Sequence, residues 1–321
     1  MRFLRNLMLG VSLALMSAGS ALAAYPERVI RMIVPFAAGG GADIVARMLA
    51  EDMRSTLGVS VLVENHPGAS ATIGATRVAR AAPDGYTLLF TTGTTHSAGP
   101  ALFKKLPFDP IKDFTPVALV TKAPLVLLVD ANAPVRTLDQ LLGWLRANPS
   151  RASYGHSSST SHVAGSSLVK RAGLPVTAVP YNGATQVMTD LAGGSIGFTF
   201  VDLAAARSFL ATGRVRAIAV TSLQRSSAMP DVPTVAESGL PGFETIAWSG
   251  IFAPAGTPGA AVETLSAAVR KSLSSNSIRN QLTKLGSGEP SFLPPAEMAS
   301  FVKAHLAVWT EKIREAGIEP Q

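Results

Sequence analysis

The feature that most constrains this chain is a glycine-rich turn at residues 35–43, which reads Pro-Phe-Ala-Ala-Gly-Gly-Gly-Ala-Asp. A short apolar run rich in β-branched residues precedes the turn at 29–34, and after it apolar residues recur at helical spacing. The pattern predicts a strand, a tight turn and a helix. Because glycine carries no Cβ and accepts positive φ angles, main-chain N–H groups at the start of this helix can approach an anion closely. Such groups can hold a carboxylate without an arginine.

The same glycines could serve only to close a tight turn, and their spacing leaves this alternative open. Two nucleotide-binding motifs are excluded. A dinucleotide-binding fingerprint starting at Gly39 would need Gly or Ala at the position of Ile44, and no Gly-Lys-Ser/Thr follows for a phosphate-binding loop. We therefore interpret the turn as an anion site and not as a nucleotide site.

Residues 1–23 have the composition of a secretory signal peptide. Arg2 and Arg5 precede an apolar run at 7–16, and small residues lead to a cleavage site after Ala23. This run is too short to cross a bilayer, and no other stretch reaches the about 18 uncharged apolar residues of a transmembrane helix. The sequence has no cysteine, which excludes disulfides and a lipid-bearing cysteine. We expect an exported, periplasmic protein.

Composition narrows the classes of partner. The formal net charge is +7, of which two charges belong to the arginines of the signal peptide. The basic residues are scattered and aromatic residues make up only 6% of the chain, so we expect no nucleic acid partner. A mild positive field favours small anions.

Alternating strand-like and helix-like segments predict an α/β fold of two doubly wound domains joined by a hinge. After the signal peptide at 1–23, domain 1 begins with residues 24–122, domain 2 spans 123–247, and the chain returns to domain 1 at 248–321. The predicted helices include one at 69–81. A proline-containing stretch at 106–121 is interpreted as the passage between domains, and a fresh series of strands is expected to start at 123–129.

Polar loops follow the predicted strands at their carboxyl ends, where open parallel sheets bind ligands. Residues 91–97 are expected to form a loop that shares a rim with the glycine turn, and its hydroxyls either bind a carboxylate or satisfy the loop backbone. His96 is interpreted as a loop histidine beside the site. It is not interpreted as a catalytic base, because the one Gly-x-Ser-x-Gly match, at 193–197, precedes a predicted strand, whereas a nucleophile elbow follows a strand and opens a helix.

Domain 2 contributes further polar clusters. Residues 154–162 follow a strand and open a helix, which aims N–H groups and hydroxyls at one point, although a flexible serine-rich linker is the alternative. Residues 181–185 repeat this arrangement. Asp202 could accept a hydrogen bond from a ligand or cap the following helix. His156 and His162 have no third metal ligand within sequence reach, so we expect neither a metal nor another cofactor.

The candidate ligand-binding residues are therefore drawn from both domains. They are Phe36, Ala38, Gly39, Gly40, Asp43, Thr92, Thr94, His96, His156, Ser157, Ser159, Thr160, Tyr181, Asn182, Gly183 and Asp202.

Short motifs along the whole mature chain carry a family resemblance. In order they are Tyr-Pro at 25–26, the turn with its preceding valine at 34–43, Asn-His-Pro-Gly-Ala at 65–69, Pro-Asp-Gly-Tyr-Thr-Leu at 83–88, Asp-Phe-Thr-Pro-Val at 113–117, Tyr-Asn-Gly at 181–183, Gly-Arg-Val-Arg-Ala-Ile-Ala-Val-Thr at 213–221 and Phe-Ala-Pro-Ala-Gly-Thr-Pro at 252–258. Their order and spacing resemble the Bug family of extracytoplasmic solute receptors, the substrate-binding components of tripartite tricarboxylate transporters.

The resemblance implies a type II periplasmic-binding-protein fold that closes on a small carboxylated solute. It implies that main-chain amides and ordered water in the loops at 35–43 and 154–161 hold one carboxylate, with Asp43 orienting the water and capping the helix. It also implies membrane transporter subunits as partners, a monomeric receptor and no enzymatic activity. Two departures from the family pattern lie at 156–161 and at Gly99-Pro100, and the first of them bears on the far end of the ligand.

Two other functions stay open at this point. One is a receptor that feeds a membrane sensor instead of a transporter. The other is a secreted serine hydrolase that uses Ser157 or Ser159 with His162 or His96, which is disfavoured because neither serine lies in a Gly-x-Ser-x-Gly elbow.

Overall fold

The computed structural model describes residues 25–286 and 288–320, so the predicted signal peptide lies outside the described residues. The strands are β1 (Ile30–Val34), β2 (Val61–Asn65), β3 (Thr87–Thr92), β4 (Phe114–Asp130), β5 (Ser153–His156), β6 (Thr177–Pro180), β7 (Phe198–Asp202), β8 (Val215–Val220), β9 (Ile246–Pro254) and β10 (Glu289–Leu293). The α-helices are α1 (Gly41–Leu57), α2 (Thr72–Ala79), α3 (Gly99–Leu102), α4 (Leu138–Ala147), α5 (Ser159–Arg171), α6 (Ala184–Ala192), α7 (Leu203–Ala211), α8 (Gly259–Ser274), α9 (Asn276–Leu285) and α10 (Pro295–Glu315). None of these helices is long and apolar enough to cross a membrane.

The predicted strand, glycine turn and helix open the fold. Strand β1 pairs in parallel with β2 and β3, and all but one of its five residues are buried. Helix α1 buries the face that carries Val45, Leu49 and Met53, which pack on the sheet in one apolar cluster. It ends at Gly58, whose φ of 72° provides the left-handed conformation that favours glycine at a helix end. The βαβ prediction for this part of the chain is confirmed.

The strands of the described residues form one curled sheet with two halves. The path is β2-β1-β3-β9-β4-β7-β5-β6, and both β8 and β10 pair with β4. In the first half β9 and β4 run antiparallel to their neighbours, and in the second half β7, β5 and β6 are mutually parallel. Helices cover the sheet, and the predicted α/β class is confirmed.

Strand β4 joins the two halves. Its residues 114–124 pair with β9, whereas residues 125–130 pair with β7 and β8. The prediction of an irregular passage at 106–121 followed by a new strand is therefore wrong from residue 114 onward. Pro116 favoured the prediction of an irregular segment, since proline is rare inside strands. In the structure it lies at a register shift of the β4–β9 ladder, where a proline is tolerated. The predicted domain boundary between 122 and 123 falls inside this strand and stays a prediction.

A second connection between the halves runs from β8 to β9 and is tied to β4 at Thr221. The N–H of Leu125 donates to Thr221 Oγ1 over 2.8 Å, and the N–H of Thr245 donates to the Thr221 carbonyl oxygen over 2.9 Å. Thr221 is fully buried. Hydrogen bonds thus join the two connections between the halves, β4 and the β8–β9 connection, at one point.

Helix α2 begins later than predicted. The predicted helix at 69–81 is replaced at its start by a short 3-10 turn, and Ala69, Ser70 and Ala71 all have positive φ angles of 45°, 51° and 73°. Each of these residues carries a Cβ, so the left-handed conformation costs about 1–2 kcal/mol per residue. The segment is therefore a site of stored backbone strain.

We expect Ser70→Gly to stabilise the protein by about 0.5–1 kcal/mol, because glycine adopts the left-handed conformation without a steric penalty. Ser70 is exposed and donates no side-chain hydrogen bond to any described residue, so little is lost with its hydroxyl. Urea unfolding at pH 7 measures the change. Ser55→Gly, in the regular part of α1, is the matched control and should destabilise by about 0.5–1 kcal/mol. An unchanged or lower stability for Ser70→Gly would contradict the assignment of strain.

Candidate functional site

A cleft between the two halves of the sheet is the candidate site. It has about 370 Å³ of free space, part of which is open solvent, and lies beside the start of α1 and the crossing strands. The lining residues are Gly41, Ala42, Val45, Thr92, Thr121, Ala123, Asp202, Ala247, Trp248 and Ser249. They include one carboxylate and no lysine, arginine or histidine. Thr92 and Asp202 belong to the sequence prediction, and the other lining residues do not.

Not all main-chain N–H groups of the glycine turn are free to bind an anion, as the sequence had suggested. Gly39 has a φ of 79°, and its N–H donates to Asp43 Oδ2 over 2.9 Å. That donor is therefore used inside the turn. Gly41 and Ala42 begin α1 and line the cleft. Because the first N–H groups of a helix have no intrahelical acceptor, these two residues provide the free donors on this side.

Asp43 stabilises the turn from within. The residue is 3% exposed, and its carboxylate accepts hydrogen bonds from Gly39, from Arg47 over 3.1 Å and from Asn65 over 2.9 Å. Burial by itself would raise the pKa of this carboxyl. The hydrogen bonds from Arg47, Gly39 and Asn65 together outweigh burial and lower the pKa of Asp43. The carboxylate is thus ionised and fully engaged.

The remaining predicted turn residues shape its outside. The Phe36 side chain packs against the core below α1, and its carbonyl oxygen accepts from Asn65 Nδ2 over 3.1 Å. Ala38 is exposed, and the N–H of Gly40 makes a long 3.4 Å bond to the Ala37 carbonyl oxygen. Phe36 and Gly40 therefore fix the backbone path into α1.

The two halves meet across the cleft at two points. A Cβ placed on Gly41 would lie 3.3 Å from the Cβ of Asp202 and 3.4 Å from its Oδ2. A Cβ placed on Gly183 would lie 3.5 Å from the Cβ of Ala37. A Cβ at Gly41 would thus be in tight contact with Asp202, and the structure has the two halves close together.

Asp202 ends β7 and faces α1. It occupies the N-cap position of α7, but its side chain makes no capping hydrogen bond. Of the two roles that the sequence left open, capping of the helix is therefore not observed. Desolvation raises the pKa of the Asp202 carboxyl above its ordinary value. The structure thus holds an uncompensated acid in the cleft.

Residues 94–98 form a buried π-helical turn, so the prediction of a loop is wrong for most of the 91–97 segment. His96 is fully buried, stacks on Phe252 with ring centroids 3.9 Å apart, and lies edge-on to Phe114 at 4.7 Å. Its Nδ1 lies 2.7 Å from Thr95 Oγ1. Desolvation lowers the pKa of His96 to about 3. His96 is a core residue, because strands distant in sequence supply its aromatic neighbours, and Thr94 is buried beside it.

The serine-rich segment of the second half is the start of a helix and not a linker. Ser158 caps α5 in a reciprocal arrangement with Ser161, and the predicted ligand residues Ser159 and Thr160 are 5% and 3% exposed in the first turn. Ser157 donates its N–H to Ser161 Oγ over 3.3 Å. The hydroxyls of Ser158 and Ser161 are therefore engaged within the helix cap, whereas those of Ser157, Ser159 and Thr160 make no hydrogen bond to any described residue.

His156 and His162 flank that segment and stack on each other, with ring centroids 4.1 Å apart and an angle of 8° between the planes. Desolvation lowers the pKa of both rings, that of His156 to about 3. Within residues 25–286 and 288–320, no hydrogen bond joins Ser157 or Ser159 to His162 or His96. The geometry of a serine hydrolase is not formed there.

Tyr181, Asn182 and Gly183, which were also predicted, are not among the residues that line the cleft. The Tyr181 hydroxyl donates to Asp190 Oδ2 over 2.8 Å, and desolvation together with Asp190 raises the pKa of Tyr181 to about 12. Asn182 is exposed, and Gly183 caps α6 opposite the glycine turn. Helix α5 packs on the π-helical turn and α10, where Val163 shares an apolar cluster with Ala98 and Trp309.

Sequence reasoning missed the floor of the cleft, which β4 and β9 provide. Thr121 Oγ1 and Ser249 Oγ are 2.7 Å apart, and Trp248 is 2% exposed with no hydrogen-bond acceptor for Nε1 among the described residues. The available signal was the polar Trp-Ser pair at the start of a strand that is otherwise apolar.

Comparisons with known proteins agree on one family. Residues 45–318 match the model of the tripartite tricarboxylate transporter family receptor. Protein BugT of Bordetella pertussis is 32% identical over 91% of this chain and 90% of its own length. The solved structure of R. palustris Rpa4515 with adipate has a TM-score of 0.89 and 34% identity, covering 92% of this chain and all of that one. MatC from Rhodopseudomonas palustris with bound malate has a TM-score of 0.83 and 36% identity, covering 90% of this chain and all of MatC.

Proposed function

The chain belongs to the family of tripartite tricarboxylate transporter receptors, and on this premise we propose that it captures a small carboxylated solute in the cleft between its two halves. It then presents the solute to the membrane subunits of a tripartite transporter. The similar proteins Rpa4515 and MatC were solved with adipate and malate, which are both carboxylates.

The observation that carries this proposal is the start of α1 in the cleft. Gly41 and Ala42 bring unpaired N–H groups and the positive end of the helix dipole to a lining without any basic residue. An anion fits this position, and several charge-assisted hydrogen bonds of about 1.5–3 kcal/mol each can hold it. Asp43 keeps the turn in shape without itself meeting the anion.

Closure of the two halves is part of the proposed mechanism. A ligand that contacts both α1 and the second half stabilises the closed arrangement, so the free protein is expected to be more open. The two crossings fastened at Thr221 would serve as the hinge between the predicted domains. The mature protein is proposed to act as a periplasmic monomer without catalytic activity.

The test is a thermal-shift screen of the mature protein, first unfolded and refolded to remove carried-over ligand. We expect a dicarboxylate, tricarboxylate, aromatic acid or acidic amino acid at about 100 times its Kd to add about 2.7 kcal/mol and raise Tm by several degrees. Each dicarboxylate is paired with its diamide, adipate with adipamide for example, and the diamide should have no effect. Absence of a shift with every carboxylate, or equal shifts with the diamides, would overturn the proposal.

A further inference from the structure

We propose that Asp202 makes this receptor selective for 2-amino carboxylates, with the ligand carboxylate at the start of α1 and the adjacent ammonium on the Asp202 carboxylate. This inference rests on the proposed function and specifies the ligand class of the same cleft. For the Asp202 side chain, the sequence left two roles open, namely hydrogen bonding to a ligand and capping of the following helix.

Asp202 lies opposite the start of α1. Asp202 Oδ2 lies 3.4 Å from a Cβ placed on Gly41, so the carboxylate stands directly opposite the first residue of α1. An anion bound to the N–H groups of Gly41 and Ala42 would therefore have the Asp202 carboxylate as its next neighbour. In a 2-amino acid the carboxylate and the ammonium are attached to the same carbon, so one ligand end can meet both groups.

No cation of the cleft lining balances the charge of Asp202. Among the residues lining the cleft, Asp202 is the sole charged one, and it takes part in no ion pair within residues 25–286 and 288–320. A desolvated carboxylate next to a bound anion is unfavourable unless a cation lies between them. A ligand ammonium supplies that cation, whereas a dicarboxylate without an amine brings only more negative charge.

Asp43 is the other carboxylate near the start of α1, and it differs from Asp202 in its hydrogen bonds. Three donors of the protein already satisfy Asp43, namely Gly39, Arg47 and Asn65. Asp202 caps no helix and has no such donors. Of the two acids, only Asp202 is therefore available to a ligand, and burial raises the pKa of its carboxyl against the opposing effect of its own backbone N–H.

Calorimetric titration of the wild-type protein with matched pairs tests the inference. The pairs are L-aspartate with succinate and L-glutamate with glutarate, which differ only in the 2-amino group. We expect the better amino acid to bind at least about tenfold more tightly than its amine-free partner, as a charge-assisted hydrogen bond implies.

The variant Asp202→Asn keeps the shape of the side chain and removes its charge. It is expected to weaken amino acid binding about tenfold or more and to leave binding of the amine-free partner equal or tighter. Asp139→Asn, an exposed acid in the first turn of α4, is the matched control and should leave both affinities unchanged. Asp202→Ser serves the same purpose if the asparagine variant does not fold.

The outcomes separate the two proposals. If the protein binds only amine-free acids from the carboxylate screen, or if Asp202→Asn weakens both members of a pair equally, the inference is overturned and the receptor function stands. If no carboxylate binds at all, the proposed function fails and the inference fails with it. Selective loss of the amino acid in Asp202→Asn supports both.

Discussion

Replacing Gly41 with valine is expected to weaken carboxylate binding about 100-fold or more while the protein stays folded. Gly41 is the first residue of α1, and even a Cβ at this position would touch Asp202 at 3.3–3.4 Å. The two γ-methyl groups of valine would extend further into the cleft. They would hold the two halves apart and cover the N–H groups that we assign to the anion.

Two lost charge-assisted hydrogen bonds of about 1.5–3 kcal/mol each are enough for this effect. The measurement is calorimetric titration with the tightest carboxylate of the thermal-shift screen. Small-angle scattering adds an independent readout, because the variant should stay in the open form at ligand concentrations that close the wild-type protein.

Gly259→Val is the matched control for Gly41→Val. Gly259 is likewise the first residue of its helix, α8, and a Cβ placed there meets no atom within 4 Å. We expect this variant to bind the carboxylate like the wild-type protein. Wild-type affinity in Gly41→Val would show that the anion does not lie at the start of α1.

The parts of the fold that local pattern determines could be predicted from the sequence. The buried run of β1, the glycine turn and the apolar stripe of α1 all lie within about thirty consecutive residues, and the structure confirms each of them. In such segments the side-chain period and the turn residues agree with the final structure.

Long-range pairing explains the failures. Pro116 indicates an irregular passage when read locally, yet β9 accommodates it at a register shift. His96 has the neighbours of a polar loop in sequence, but Phe114 and Phe252 enclose it in space. The cleft floor at Thr121 and Ser249 likewise exists only because β4 pairs with β9, which is 128 residues away at this contact. No local motif carries that information.

The type of site could be predicted from the sequence, but the residues that face the cleft could not. The sequence located an anion site at the glycine turn, but Asp43 occupies the N–H of Gly39, and the donors facing the cleft come from Gly41 and Ala42. For Asp202, the sequence left capping and ligand binding equally open. The decision between them depends on an uncapped side chain lying opposite a helix in the other half.

Acidification from pH 6.5 to pH 4.5 is expected to destabilise the protein, with His96 alone contributing about 2 kcal/mol. The pKa of His96 is about 3 in the folded protein, because its ring is fully buried. In the unfolded chain the same ring takes up a proton near pH 6.5. The unfolded state therefore binds more protons as the pH falls, and stability decreases between these two pKa values.

Other histidines act in the same direction. Desolvation and the neighbouring His162 lower the pKa of His156 to about 3, and desolvation lowers that of His305 to about 4. His96 is distinguishable from them because its ring stacks on Phe252 and lies edge-on to Phe114. The variant His96→Phe keeps a ring between Phe114 and Phe252 but cannot bind a proton.

Urea unfolding of wild type and variant at pH 6.5, 5.5 and 4.5 measures the effect. Because each series is compared with its own value at pH 6.5, a different starting stability of His96→Phe does not affect the result. We expect the variant to lose about 2 kcal/mol less than the wild-type protein over this range. Phe108→Leu, a buried residue that packs on Phe114 and cannot bind a proton, is the control and should follow the wild-type curve. If His96→Phe also follows it, the ring takes up its proton in the folded state, and the aromatic cluster around it must open without unfolding.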